Sequence, residues 1–79
     1  MMDRYAATPR QDLPESDRKS VLEAFQVAAM GKPAVTGVSY LRVSSAVFFT
    51  VSDAAALDEL REQFEAKLSF VQAQGVHIQ

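Results

Sequence analysis

The chain has no cysteine, a single histidine and no apolar run approaching the length of a membrane span. Without cysteine there is neither a disulfide nor a thiolate metal site. One histidine, His77, excludes the multi-histidine zinc sets. A spanning helix needs ~20 consecutive apolar residues, and none is present. Glycine is scarce. Gly31 and Gly37 stand on either side of Pro33 and do not form a phosphate-cradling loop. There is also no nucleophile elbow and no calcium loop. No metal and no cofactor is expected.

What is present describes one small domain. The chain has 79 residues, 48% of them hydrophobic and 23% charged. A domain of this size buries only about 60% of its unfolded surface, so it commonly needs a staple. With disulfides and zinc excluded, oligomerisation remains. Net charge is −2, and its distribution is uneven. Residues 33–52 carry Arg42 alone, whereas residues 53–66 carry Asp53, Asp58, Glu59, Glu62 and Glu65 against Arg61. No basic stripe stands ready for a phosphate backbone. The polar start, MMDRYAATPRQD, lacks the apolar segment of a secretory signal. A cytoplasmic protein is expected.

Residues 1–11 read as a flexible tail in which Tyr5 is the only large apolar side chain. Residues 12–79 read as the domain. Asp12-Leu13-Pro14-Glu15 has capping-box spacing, and Val21, Leu22, Phe25, Ala28 and Ala29 follow on one helical face. Gly31 and Pro33 end that helix, predicted over residues 13–30, with Val27 and Met30 off its buried stripe. Val38 to Val51 then reads as an antiparallel hairpin rich in Val, Tyr and Phe. Ser44-Ser45 does not supply the positive φ angles of a two-residue loop. A three-residue loop, Ser44 to Ala46, is preferred because it segregates the apolar residues. It puts Leu41, Val43, Val47, Phe49 and Val51 on one face and Val38, Tyr40, Arg42, Phe48 and Thr50 on the other.

Ser52 or Asp53 caps a second helix with the stripe Leu57, Leu60, Phe64, Leu68 and Val71, ended by Gly75. Phe70 falls off that stripe. Val76-His77-Ile78 is a possible short C-terminal edge strand. The fold class is therefore α+β, a two-layer α-β-β-α arrangement around a hairpin. Two helices cover one face of such a sheet and leave the other open.

Function follows from that open face. No acid, base and nucleophile converge in the sequence, so an enzyme is not expected. The expectation is a small non-catalytic protein-interaction module: an adaptor, an assembly factor, or a phage- or plasmid-type inhibitor of a host complex. It would form a homodimer through Tyr40, Arg42 and Phe48, with Phe70 as a further contact. Asp58, Glu59, Glu62 and Glu65 would form an acidic docking face for a protein partner of basic character. The alternative is a nucleic-acid-binding module using Arg4, Arg10, Arg18, Lys19 and Lys32, with salt-sensitive affinity.

Overall fold

The computed structural model describes residues 3–73. In chain order the elements are β1 (Asp3–Pro9), α1 (Glu15–Met30), β2 (Val35–Leu41), β3 (Ala46–Val51), α2 (Ala54–Phe64) and β4 (Leu68–Gln72). The strands form one antiparallel sheet in the order β2-β3-β1-β4, with both helices on one face. This is the split β-α-β, or ferredoxin-like, arrangement. The α+β class, the hairpin and the two helices on one side agree with the sequence reading. No helix among the described residues is long and apolar enough to cross a membrane.

The amino-terminal segment differs most from expectation. Instead of a tail, Asp3–Pro9 is an interior strand of the sheet, paired with β3 on one side and β4 on the other. Its side chains alternate. Tyr5 and Ala7 share the inner face with Phe49 and Val47, while Arg4, Ala6 and Thr8 face outward. Tyr5 stacks against Phe49 with ring centroids 6.0 Å apart. Tertiary pairing on both edges holds a segment that has little strand propensity of its own.

The second helix is shorter than its apolar stripe implies. It stops at Phe64; a turn follows, with the Lys67 amide donating to the Phe64 carbonyl. Leu68–Gln72 then becomes β4. Leu68 and Phe70 pair with Pro9 and Ala7, while Ser69 and Val71 pair with Thr8 and Ala6. The run Leu-Ser-Phe-Val satisfies both a helical and a strand period. The strand wins because it satisfies the backbone groups along the free side of β1. Val76-His77-Ile78 and Gly75 lie outside the described residues.

Local signals set the other boundaries. Asp53 caps α2, its Oδ1 accepting from the Ala55 amide at 3.0 Å. The Asp12–Glu15 capping box is not formed; Pro14 occupies the cap position of α1 with no side-chain hydrogen bond. The Arg18 guanidinium instead donates to the Leu13 and Gln11 carbonyls. Val27 and Met30 are exposed, as their position off the stripe predicts.

The core lies between the helices and the inner sheet face. Phe25 and Phe49 are fully buried at its centre. Phe25 meets Phe49 at 5.2 Å, Phe64 at 5.2 Å and Phe70 at 5.5 Å between ring centroids. Tilted and edge-on aromatic pairs at such distances contribute beyond the area they bury, on the order of 1 kcal/mol each.

Candidate interaction face

The outer face of the sheet has no layer over it among the described residues. Register places Leu41 opposite Ala46, Ser39 opposite Phe48, Phe48 opposite Ala6, and Ala6 opposite Val71. An apolar band thus crosses the strands, bordered by Thr8, Thr50 and Ser69. Leu41 is 45% exposed and Val71 57% exposed. Phe48 is half-buried at the middle.

Part of the cover on Phe48 comes from Arg4, whose guanidinium carbon lies 5.9 Å from the ring centroid. Its Nη1 donates to Thr50 Oγ1 at 2.9 Å and to the Gly37 carbonyl at 3.3 Å. The only charged side chain on the paired positions of this face is therefore already engaged within it.

The register that builds this face is not the expected one. The hairpin closes through a four-residue turn, Arg42 to Ser45, between the paired Leu41 and Ala46. Ser45 takes a φ of 50°, the left-handed conformation that the serines were not expected to supply. Farther along, the ladder is irregular between Thr36 and Ser39, around Gly37 at φ 61°. Both Val35 and Tyr40 reach the inner face, opposite Val51 and Val47. An uninterrupted strand would send two residues with that odd spacing to opposite sides.

The expected contact set is consequently split. Phe48 lies on the open face. Tyr40 lies on the inner face, packed against the core. Arg42 belongs to the exposed turn, beside a fully exposed Val43. Phe70 is no surface residue of a helix; on β4 it meets Phe25 and Phe49. Sequence reasoning missed Arg4, Leu41 and Val71 as members of the open face. Leu41 would have been found by pairing β2 with β3, and Val71 by pairing β4 with β1, in the observed register.

Asp58, Glu59, Glu62 and Glu65 are exposed along α2 and the turn after it. Glu59 leans toward the end of α1, where Lys32 Nζ meets its Oε1 at 2.6 Å. The basic residues of the alternative reading are dispersed. Arg4 lies on the open face, Arg10 donates to the Glu65 carbonyl, Arg18 lies near the start of α1, and Lys32 sits at the opposite end of that helix. Among the described residues, no three His, Asp or Glu side chains converge as metal ligands.

No family model matches the chain, and no curated protein matches its sequence. Among solved structures, the chain is similar to the N-terminal domain of ZntA in its apo form, at 14% identity, over 98% of this chain and 100% of that one, with a TM-score of 0.49. At that distance no function is transferred, and what the chain does has to be argued from its own residues.

Proposed function

We propose that this chain is a small non-catalytic protein-interaction module that self-associates through the open face of its sheet. The observation that supports this reading is the apolar band Leu41, Phe48, Ala6 and Val71, with no layer over it among the described residues: Leu41 and Val71 are exposed, Phe48 is half-buried, and Ala6 is buried between its neighbours. A second copy suits this face because it brings the same apolar band and, among the described residues, no carboxylate. The one guanidinium, that of Arg4, is hydrogen-bonded to Thr50 and Gly37 but has no counter-charge. The contact therefore leaves Arg4 at its solvated rim, where an unpaired charge costs little.

Size sets the strength. Four strands spaced about 4.8 Å apart, each contributing about five residues, give a projected area of roughly 300 Å². Two such faces give on the order of 600 Å² in total, below the roughly 1,000 Å² that a stable interface clears and in the range of weak, transient contacts. The dimer should therefore dissociate on dilution. Asp58 and Glu62 are exposed on α2 and Glu65 just past its end, and in this reading they are the surface that a basic protein partner meets.

Static light scattering over a concentration series tests the proposal. The expected mass rises from that of one chain toward two, and Phe48→Asp holds it at one with unchanged circular dichroism. A wild-type mass of one chain at every concentration contradicts self-association. A change in mass on adding single-stranded RNA, but not on raising protein concentration, would favour the nucleic-acid alternative.

A further inference from the structure

A second feature lies on the other side of the molecule, where the beginning of α1 meets the hairpin turn. The first two turns of α1 supply Glu15, Arg18 and Lys19; the end of β2 supplies Tyr40; the turn supplies Arg42 and Ser45. Together they line a cavity of about 360 Å³, floored by the buried Leu22. These three cations share the cavity with one carboxylate. Among the described residues, the recorded ion pair is Lys32 with Glu59, at the far end of α1, so none of the three cations is neutralised by a salt bridge there.

Arg18 is the anchored member of this set. Arg18 is half-buried, and its guanidinium is oriented by two carbonyls, with Nε on Leu13 at 3.0 Å and Nη2 on Gln11 at 3.2 Å. Arg42 is carried on a closed turn in which the Ser45 amide donates to the Arg42 carbonyl at 3.2 Å. The Tyr40 ring is packed against the core. Guanidinium groups match phosphate oxygens in geometry as well as charge, and neutral hydroxyls complete such a donor set.

We propose that this cavity binds a phosphate group, either as free phosphate or as a small phosphate monoester, between Arg18, Lys19 and Arg42, with the Tyr40 and Ser45 hydroxyls as further donors. Glu15 opposes the ligand and limits affinity. The site is independent of the sheet face: Tyr40 is on the inner side, and Phe48 takes no part in it.

Amide chemical shifts of the labelled full chain, followed at low salt, test this site. Inorganic phosphate and phenyl phosphate are titrated separately, with sodium chloride at matched ionic strength as the control. Saturable shifts at Arg18, Lys19, Tyr40 and Arg42 are expected from a phosphate arm and not from chloride. Binding in both arms identifies the bare anion as sufficient; binding of phenyl phosphate alone identifies the ester. Two exposed substitutions separate recognition from folding. Arg42→Gln is expected to weaken binding about tenfold, the loss of one charge-assisted contact. Glu15→Gln is expected to strengthen it. Equal shifts from chloride, no saturable shift in either phosphate arm, or unchanged affinity in Arg42→Gln would overturn the site.

Discussion

The two faces of this sheet are built from the same strands, and adjacent residues supply opposite environments. Phe49 is fully buried against Phe25, Phe70 and Tyr5. Phe48, its neighbour, has Arg4 over its ring and Ala6 opposite. The inner face is completed by two helices of the same chain. The outer face has an apolar band and, among the described residues, no helix. The alternation of side chains along a strand makes both surfaces at once, and a chain with two helices can finish only one of them.

Mutation should separate the faces sharply. Phe49→Ala removes a fully buried ring from the aromatic cluster and is expected to cost about 3–5 kcal/mol in urea unfolding. Phe48→Ala, measured at concentrations where the chain is monomeric, should cost about 1–2 kcal/mol, the sum of an exposed cation–π contact and the part of the ring that is buried. Comparable losses would erase the distinction between the faces.

The bulge that brings Tyr40 inward is the next point of attack. Gly37→Ala forces an L side chain into a positive φ and places its Cβ 3.2 Å from Arg4 Nη1. The backbone term alone is about 1–2 kcal/mol, read again from urea midpoints. A neutral result would mean that the strand runs without this irregularity. Removing the cap of α2 with Asp53→Ala should cost about 1 kcal/mol, in the same measurement. Lys32→Ala has the smallest expected effect, below about 0.5 kcal/mol. Its partner Glu59 is mostly exposed, and surface pairs contribute little.

The sequence disclosed the elements whose signals are local. Val21, Leu22 and Phe25 announce α1, Asp53 announces the start of α2, and the apolar run around Phe48 announces a hairpin. It concealed what long-range pairing decides. The segment Asp-Arg-Tyr-Ala-Ala-Thr-Pro has few β-branched or aromatic residues, and it becomes β1 because β3 and β4 flank it. Leu68 continues the helical spacing of Leu60 and Phe64, so β4 was absorbed into the preceding helix. That both helices lie on one side of the sheet was legible, because two helices cannot cover two sides; among the described residues no layer lies on the other. The membership of that other face was not, because Ser45 and Gly37 shift the pairing through backbone conformations that a side-chain pattern does not register. Phe48 lies on the outer face, and Tyr40 lies on the inner one, one step of alternation from the sequence expectation.

The central claim is that Leu41, Phe48 and Val71 of one chain meet the same residues of another. An isotope-filtered NOE spectrum of mixed labelled and unlabelled chains reads this contact directly. The account predicts intermolecular cross-peaks among the Leu41 and Val71 methyls and the Phe48 ring. Cross-peaks confined to Val27 and Met30 on α1, or none at concentrations where the mass is that of two chains, would contradict it.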